Sequence, residues 1–375
     1  MNQLTGQIFI AESAPSTTNI HYLSGFTAPD SFLYLQTVNG GYLLVSAMEK
    51  GRAEKQSTPG TQVVTPSDLG LKGKKVWKRE EQIAALMEIA KLRRILVPVD
   101  FPVGLFQTLE KRGLKISVNR KPVCPERKVK TPEEISKLRK SQQAAVAAMK
   151  VAIEQIGSAK IGSKNRLYIG REILTSEKVR QLIHKTLINH DCAGAETIVA
   201  GGDQGTDPHE RGHGPLYAGE SIILDIFPRS EKTGYWGDIT RTVCRGPANP
   251  ELKNIYNAVK AAQAAALRAV KPGTCADEIH ALCKKVFEQR RFQTSERNGT
   301  HVGFIHGTGH GVGLDIHEFP RVGTSGEMLE EGNVITIEPG LYYPGVGGVR
   351  IEDTVVVTDS GYKMLAACEK KFELL

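Results

Sequence analysis

Apolar and polar residues alternate in two similar segments in the second half of the chain. The first reads SIILDIF followed by GYWGDITRTV, and the second reads VITIEPGLYYPGVGGVRIEDTVVV. Alternation with a period of two, in segments rich in β-branched residues, is typical of half-buried strands. Each segment therefore predicts a strand–turn–strand unit. In the first, the PRSEKT stretch predicts a long turn between the two strands.

Each unit contains two acidic residues: Asp225 and Asp238 are thirteen positions apart, and Glu338 and Glu352 are fourteen apart. Every one of them interrupts an apolar run, where an unpaired charge costs on the order of several kcal/mol. Side chains alternate along a strand, so each strand directs one carboxylate to a single face. We therefore expect the four to converge if the strands are neighbours in a curved sheet.

Helical periodicity dominates the regions around these units. Thr131 is predicted as an N-cap with Pro132 at the first helical position and Glu134 at the third, ahead of ISKLRKSQQAAVAAMKVAIEQI. Further helices are predicted at about 172–190, 250–270 and 277–291. The mixture of strands and helices predicts an α/β architecture.

The first third of the chain has its own pattern of elements. SFLYLQTV, Asn39-Gly40 and YLLVSAM predict a hairpin, and EEQIAALMEIAKL, ILVPV, FPVGLFQTLEKR and KISV predict helix, strand, helix and strand. A basic, proline-containing stretch at 122–132 separates this part from the rest. We therefore predict two domains, an α/β unit over residues 1–125 and a second over residues 131–375.

The formal net charge of +8 is confined to the N-terminal third. Lys and Arg number 19 against 11 Asp and Glu up to Lys130, and 30 against 30 beyond it. Basic residues scattered at this density are typical of a solvated face, and neither an aromatic stacking platform nor a groove-reading helix accompanies them. Nucleic acid is therefore not an expected partner.

Other features of the composition agree with a cytoplasmic protein. No run of eighteen apolar residues predicts a membrane span, and the N-terminus lacks the pattern of a secretory signal. The six cysteines are spread along the chain without close pairs. That distribution predicts a reducing compartment with cysteines that act as small apolar residues. Neither a membrane partner nor secretion is expected.

A histidine-rich glycine loop, FIHGTGHGVGLDIHE, lies between the two acidic units. One strand-end carboxylate alone would usually face water or pair with an arginine such as Arg241 or Arg350. Four in a duplicated arrangement, with this loop, instead favour two divalent cations held by carboxylates and one imidazole. Glycines at 307, 309, 311 and 313 would let the backbone come close to the site around His310.

The motifs LDIF…GDITRT, HGTGHGVGLDIHE, TIEPGLY and GVRIEDT resemble the catalytic domain of the M24 metallopeptidase family, the group of methionine aminopeptidase, prolidase and creatinase. The resemblance covers about residues 131–365 and implies the α+β "pita-bread" fold for the second domain. NIHYLSGFTAPDSFLYL is similar to the opening of the creatinase/prolidase N-terminal domain, which implies that smaller α/β domain before it. Carried over residue by residue, the resemblance implies these metal ligands: Asp225, Asp238, His310, Glu338 and Glu352.

Within this set the resemblance also implies separate roles. Asp238 and Glu352 would bridge the two ions, Asp225 would bind one of them, and His310 with Glu338 the other. The ligand set suits manganese, with cobalt, zinc or iron as alternatives. Glu338 would relay the proton from the attacking water to the leaving nitrogen.

Three further histidines are implied to be catalytic and to bind substrate. His209, in GTDPHERGHGP, and His317 resemble those that contact the peptide and stabilise its tetrahedral intermediate, and His306 matches another active-site histidine of the prolidase branch. His213 competes with His209 for its role, and the sequence leaves this open. The remaining histidines in unremarkable contexts are predicted to lie at the surface or in the core: His21, His184, His190 and His280.

Arg350 is also predicted to belong to the substrate site. It precedes Glu352 by two positions and therefore shares its face of the strand. We expect it to be a partner of that bridging carboxylate.

The predicted activity is hydrolysis of the peptide bond preceding proline by a metal-activated hydroxide, on small peptides with proline at the second position. The alternatives are a non-catalytic pita-bread binding protein and a creatinase-like hydrolase of another C–N bond, and the intact ligand set argues against both. The resemblance implies a homodimer. Aminopeptidase and dipeptidase activity, the native metal, the physiological substrate and the residues of the proline pocket stay open.

Overall fold

The protein is described here by a computed structural model of the 375-residue chain. The structure describes residues 4–297 and 299–375. The chain divides into two compact units, Met1–Pro125 and Glu126–Leu375.

The N-terminal unit is a six-stranded sheet with helices on both faces. Its elements are β1 Thr5–Ile10, α1 Ala14–Ser24, β2 Leu33–Thr37, β3 Gly40–Leu44, α2 Lys50–Gln56, β4 Thr61–Val64, α3 Arg79–Ile89, β5 Arg94–Val97, α4 Val103–Lys111 and β6 Lys115–Val118. The strand order is β4-β3-β2-β1-β5-β6, with β1, β2 and β3 antiparallel and the outer pairs parallel. The hairpin predicted at Asn39-Gly40 is confirmed as the β2–β3 turn.

The alternating side chains of this sheet supply two apolar cores. On one face Ile8 and Leu35 pack with Leu86 of α3 and Leu109 of α4. On the other, residues of β1, β2 and β3 pack with α1 and α2. The helices predicted at EEQIAALMEIAKL and FPVGLFQTLEKR are thus confirmed, and both pack on the same face of this sheet.

The second unit contains four long helices and many short strands. Its elements are α5 Pro132–Ser158, β7 Lys160–Ile161, β8 Leu167–Ile169, β9 Glu172–Ile173, α6 Ser176–Ile188, β10 Cys192–Gly194, β11 Ile198–Gly201, β12 Ile222–Ile226, β13 Pro228–Ser230, β14 Ile239–Arg245, α7 Pro250–Ala269, α8 Ala276–Gln289, β15 Ser295–Arg297, β16 Thr300–Val302, β17 Gly309–Gly311, β18 Glu318–Val322, β19 Val334–Ile337, β20 Gly340–Tyr343, β21 Gly347–Arg350, β22 Asp353–Val357, β23 Tyr362–Met364 and β24 Glu373–Leu374.

The helix boundaries follow from local capping. Thr131 and Glu134 form the predicted capping box at the start of α5, and Asn249 caps α7, which begins at the predicted position. The helix expected from about residue 172 begins later, at Ser176. The reason is that Glu172 and Ile173 pair with β8 as a short strand, and Thr175 then accepts the capping hydrogen bond.

Two sheets, each covered by a pair of helices, position the candidate site. The sheet β11-β12-β14-β24 packs against α5 and α6, and the sheet β18-β17-β19-β22-β23 packs against α7 and α8. The two acidic segments of the sequence therefore lie in two separate sheets, each stabilised by its own apolar core.

The PRSEKT stretch is not simply the long turn that we expected. Its beginning, β13, pairs with β10, and only the following residues turn, closed by a hydrogen bond from the Gly234 N–H to the Ser230 carbonyl. Among the described residues, no helix is long and apolar enough to cross a membrane.

Candidate active site

Strand register brings the four acidic side chains together. In the β12–β14 pair Asp225 lies opposite Thr240, so Asp238, two residues earlier on the same side, faces the same way. In the β19–β22 pair Ile337 lies opposite Asp353, which places Glu338 and Glu352 beside one another just beyond it. The convergence expected from the alternating pattern is therefore confirmed.

His310 completes the cluster from the middle of β17. Its Nε2 lies 3.2 Å from Glu338 Oε1 and 3.6 Å from Asp238 Oδ2. Donor atoms of Asp238, His310 and Glu352, all three buried, lie within 4.8 Å of one another. Such an arrangement of two carboxylates and an imidazole can hold a metal ion.

The glycines around His310 are required by close packing of the backbone. A Cβ on Gly309 would lie 2.0 Å from the Thr336 carbonyl oxygen, and one on Gly311 would lie 2.4 Å from the Phe319 carbonyl oxygen. Neither position has room for a side chain. The close approach predicted from the glycine run is therefore confirmed, since it lets β17 bring His310 against Glu338.

The electrostatics of the cluster show a shortage of positive charge. Burial, together with the charge of Asp225, raises the pKa of Asp238 well above its usual range. Burial and the charge of Asp238 do the same to the pKa of Glu352. Both shifts have the cause expected when like charges share a site of low dielectric.

Glu338 and His310 behave differently because they form an ion pair. Burial alone would raise the pKa of Glu338, but the hydrogen bond and charge of His310 outweigh it and lower that pKa to about 2. Burial opposes, and the bond to Glu338 favours, the charged form of His310, whose pKa rises to about 9. A bound cation would offset this excess of negative charge, and divalent ions fit both the charge of the cluster and its donor chemistry.

Hydrogen bonds from neighbouring strands and from α5 hold the Glu352 carboxylate and the backbone of Asp238. Thr240 Oγ1 donates to Glu352 Oε2 at 2.9 Å. Gln142 of α5 makes two bonds of 2.7 Å with the backbone of Asp238, and Thr354 Oγ1 donates to the same Asp238 carbonyl at 2.7 Å. The donor atoms are therefore held in place by the fold, as an ion site requires.

Arg350 pairs with Asp225, which differs from the expected partnership with Glu352. Its Nη2 lies 2.7 Å from Asp225 Oδ2, and its Nη1 donates to the Tyr342 hydroxyl at 2.9 Å. The strand β21 ends at Arg350, so the following residues no longer keep a simple alternation. This is the physical reason for the difference.

Tyr342 connects Arg350 to His306. The Tyr342 oxygen accepts from Arg350 and lies 2.9 Å from His306 Nε2, and His306 Nδ1 lies 2.7 Å from the Gly307 carbonyl oxygen. Burial raises the pKa of Tyr342 to about 12 and lowers the pKa of His306. Because a carbonyl oxygen only accepts, Nδ1 of His306 is the donor to Gly307, and in the neutral ring Nε2 then accepts from the Tyr342 hydroxyl. The sequence interpretation did not identify Tyr342.

A second network missed from the sequence lies on the opposite side of the strands. Arg241 donates to the backbone carbonyl of Glu352 and, at 2.7 Å, to Asp353 Oδ1. Lys370 Nζ lies 2.6 Å from Asp353 Oδ2, and Gln263 Nε2 donates to the same atom at 3.0 Å. A signal was present, because Arg241 lies three residues after Asp238 and therefore points to the opposite side of the strand, and Asp353 follows Glu352 directly.

A cavity of about 780 Å³ opens in front of the acidic cluster. His209, His306, His317 and Arg350 all line it, together with the five acidic and imidazole donors. Apolar side chains form part of the wall: Ile198, Phe227, Ile305, Ile316 and Val322.

The histidines at the cavity differ in how they are held. The rings of His317 and His310 meet edge to face with centroids 4.2 Å apart, and partial desolvation of the otherwise exposed His317 ring, with the charge of His310, lowers the pKa of His317 to about 4. His209 is exposed on the wall. His213 is not among the described residues that line the cavity, and its backbone N–H donates to Gln204 Oε1. The geometry therefore favours His209 over His213.

Two histidines expected outside the site have partners of their own. His184 Nε2 lies 3.0 Å from Thr197 Oγ1, and His280 Nδ1 lies 3.0 Å from Thr308 Oγ1. Neither is among the described residues that line the cavity.

Comparison with known proteins agrees with this geometry. The sequence model of metallopeptidase family M24 matches residues 136–359. The chain belongs to metallopeptidase family M24. The creatinase/prolidase N-terminal domain model matches residues 10–149, which extends from the first unit into α5. The predicted fold class, a creatinase-type N-terminal domain followed by an M24 pita-bread domain, is confirmed.

Among curated M24 relatives, a Pyrococcus horikoshii protein named Xaa-Pro dipeptidase is 30% identical over 358 residues, 94% of this chain and 91% of the relative. A Pyrococcus furiosus protein of the same name is 36% identical over 245 residues, 65% of this chain and 64% of the relative. The crystal structure of the prolidase from Pyrococcus horikoshii OT3 superposes with a TM-score of 0.81 at 27% identity, covering 99% of this chain and 96% of that one. Membership of M24 implies bound divalent metal ions.

Proposed function

We propose that this chain is a metallopeptidase that uses two divalent ions to hydrolyse the peptide bond preceding proline. The observation that carries the proposal is the convergence of four carboxylates and one imidazole on the wall of a single cavity. The names of the Pyrococcus relatives, Xaa-Pro dipeptidase, supply the substrate class.

The proposed ligands are those that the family resemblance implies. Asp238 and Glu352 would be shared by the two ions, Asp225 would hold one of them, and His310 with Glu338 would hold the other. The excess of buried negative charge fits two cations better than one. Bound divalent ions supply Lewis-acid polarisation of the scissile carbonyl and activation of the attacking water.

Glu338 holds and moves the proton in this proposal. Its side chain is 18% exposed, more than that of Asp238, and it reaches the cavity. A carboxylate in this position takes a proton from the attacking water at one oxygen and gives it to the leaving nitrogen. His310 and Thr336 contact Glu338 Oε1 and hold it in place.

The cavity histidines orient the substrate. His317 and His209 contact the scissile carbonyl and stabilise the negative charge that develops on its oxygen. His306, held by Tyr342 and Arg350, lies on the same wall and contacts the peptide beside it. Arg350 acts mainly by holding Asp225 and Tyr342.

An apolar part of the wall suits a proline ring. The Xaa–Pro amide has no N–H, so its site needs no acceptor for that nitrogen. Phe227, Ile305, Ile316 and Val322 supply a surface against which the ring can be buried. The proposed substrates are therefore dipeptides with proline in the second position, in keeping with the relatives' names.

The finer properties in this proposal are manganese as the native metal, a homodimer and a cytoplasmic location. Oxygen-rich sites with one imidazole accept manganese, cobalt, iron and zinc, so availability decides among them. The cysteines at 192, 244, 275, 283 and 368 carry free thiols, which supports a reducing compartment. Light scattering of the purified chain tests the dimer.

The decisive experiment measures hydrolysis of matched Xaa-Pro dipeptides and Xaa-Pro-Xaa tripeptides by metal-stripped protein, with Mn²⁺, Co²⁺, Fe²⁺ or Zn²⁺ added back singly. Metal-dependent cleavage is expected, with dipeptides preferred. A preference for tripeptides would make the protein an aminopeptidase. Metal binding without cleavage would indicate another C–N substrate, and no metal binding would indicate a non-catalytic relative.

A further inference from the structure

The loop at residues 312–317, here called the His317 loop, connects β17 to β18 and carries an exposed histidine. The loop follows a register shift between His310 and Gly311. Because His317 is exposed, packing alone does not determine its orientation. Its contact with the His310 ring depends on how the loop backbone is anchored.

One anchor holds the start of the loop. The Trp236 backbone N–H donates to the Gly313 carbonyl, and Trp236 Nε1 donates to the Leu314 carbonyl, both at 3.0 Å. Trp236 lies two residues before Asp238. This anchor therefore ties the loop to the strand that carries a proposed bridging ligand.

A second anchor holds the end of the loop through charge. Arg127 Nη2 lies 2.8 Å from Asp315 Oδ2 and 2.6 Å from Glu318 Oε2. Lys130 Nζ forms an ion pair with Glu318 Oε1 at 2.5 Å. These two carboxylates lie immediately on either side of the Ile316-His317 dipeptide, so the two cations fix both ends of the segment that presents His317.

The two ion pairs of Glu318 are largely buried, whereas Asp315, with its side chain 34% exposed, lies nearer the surface. The side chain of Lys130 is 1% exposed and those of Glu318 and Arg127 are 9% and 13% exposed. A Cβ on Gly313 would lie 2.1 Å from Glu318 Oε1, so the carboxylate packs directly on the loop backbone. The ion-paired carboxylate of Glu318 therefore contacts the backbone of the His317 loop directly.

Stability alone is a poor explanation for this arrangement. Buried ion pairs are often no more stabilising than apolar residues of similar volume, because desolvation offsets their attraction. What they provide is defined geometry, and the planar guanidinium provides it better than an ammonium can. Such defined geometry suits a loop that holds one histidine in one orientation.

We propose that Arg127 and Lys130 are positioning residues that, through Asp315 and Glu318, hold His317 in the orientation in which it contacts the scissile carbonyl. The inference rests on the role of His317 in the proposed function. Neither cation touches the substrate in this proposal.

The chain offers a matched control in Lys128. It lies between the two cations and is also ion-paired, but with Glu327 and Glu330 at 3.0 and 2.9 Å rather than with the His317 loop. Lys128→Met removes ion pairs from the same segment and leaves the loop's contacts in place. The kinetic effect of Lys128→Met therefore measures the consequence of losing ion pairs in this segment without changing the contacts of the His317 loop.

The first test is steady-state hydrolysis of an Xaa-Pro dipeptide by metal-loaded Arg127→Met, Arg127→Lys and Lys128→Met. We expect kcat and kcat/KM of Arg127→Met to fall together by about 10- to 100-fold, as for a contact made in the transition state. Arg127→Lys should recover part of the loss, and Lys128→Met should stay within about twofold of the wild type. Equal losses in Arg127→Met and Lys128→Met would overturn the proposal.

A double-mutant cycle with His317→Ala then separates positioning from general damage. If Arg127 acts through His317, Arg127→Met has no further effect on kcat/KM once His317 is absent. Multiplicative losses would show an independent effect and contradict the proposal. If Arg127→Met does not fold, as judged by thermal unfolding and metal content, Glu318→Gln replaces it in the cycle.

A spectroscopic measurement tests the same point without relying on activity. In zinc-loaded protein with ¹³C-labelled histidine, the His317 ring signal is assigned by its loss in His317→Ala. It should shift or broaden in Arg127→Met and not in Lys128→Met. An unmoved signal would refute the inference even if the enzyme is active. An inactive wild type with a moved signal would instead refute the proposed function and leave the positioning of His317 supported.

Discussion

Glu352 and Asp353 are adjacent in the chain and each is 1% exposed, but their surroundings are opposite. On the front face, the side that faces the cavity, Glu352 lies beside Asp238 and Glu338 and receives a hydrogen bond from Thr240. On the rear face, Asp353 lies against Arg241 and Lys370. The fold thus neutralises the rear carboxylate with its own cations and leaves the front one to an external cation.

This contrast explains how a stable domain can carry a site with excess negative charge. Arg241 donates not only to Asp353 but also to the carbonyls of Glu352, Cys368 and Glu369. It therefore fixes the backbone that carries the front carboxylate. Ion pairs and hydrogen bonds on the rear face hold the unfavourable arrangement on the front face in place.

The largest effect that the contrast predicts is on metal binding at the front face. Asp238→Ala or Glu352→Ala removes a proposed bridging ligand, so kcat/KM should fall by on the order of 10³-fold or more. Metal content by mass spectrometry should fall from two ions toward one or none. Asp359→Ala, an exposed carboxylate elsewhere, is the control, and unchanged metal content in the ligand variants would disprove the assignment.

The next effect is on folding and concerns the rear face. Arg241→Met leaves the buried Asp353 with the partly exposed Lys370 as its remaining cation, so the free energy of unfolding should fall by about 3–5 kcal/mol. Urea unfolding of the metal-stripped protein measures it, with the exposed Arg268→Met as control. A loss below about 1 kcal/mol would mean that Lys370 and Gln263 are enough to neutralise Asp353.

The front face could be predicted from the sequence because its signal is local. A charged residue inside an alternating apolar run identifies one position and the face to which its side chain points. Strand register then accounts for the meeting of four such residues: Asp225, Asp238, Glu338 and Glu352. Capping residues likewise gave the start of α5 and of α7. Each of these features depends on a few neighbouring positions in the chain.

The rear face and the Arg350 contacts could not be predicted because they join distant positions. Arg241 meets Asp353 across 112 positions and Arg350 meets Asp225 across 125. Alternation of side chains along the strand predicted a contact between Arg350 and Glu352, but that alternation stops where β21 ends. The ion pairs of Arg127 and Lys130 with Glu318, about 190 residues away, leave no periodic signal in the sequence.

A smaller effect is expected from the hydroxyl that contacts the front carboxylate. Thr240→Val removes the bond to Glu352 and should weaken metal affinity by about 10- to 100-fold. Thr242→Val is the matched control, because Thr242 lies on the same side of β14 and bonds the backbone of Arg350 instead. Equal losses of metal affinity in both variants would show that the strand, rather than the contact with Glu352, is responsible.

The smallest effect is the sharpest test of the contrast, because it predicts opposite signs at adjacent residues. In metal-stripped protein Glu352→Gln removes a charge from a crowded group of like charges, so the free energy of unfolding should rise by about 1 kcal/mol. Asp353→Asn removes the partner of Arg241 and Lys370, so it should lower that free energy. Urea unfolding of both variants measures the two signs. Adding Zn²⁺ should stabilise the wild type more than Glu352→Gln, since ligand binding stabilises only the form that binds it. If both substitutions destabilise the metal-free chain, the front face is not short of positive charge, and the argument for an external cation there fails.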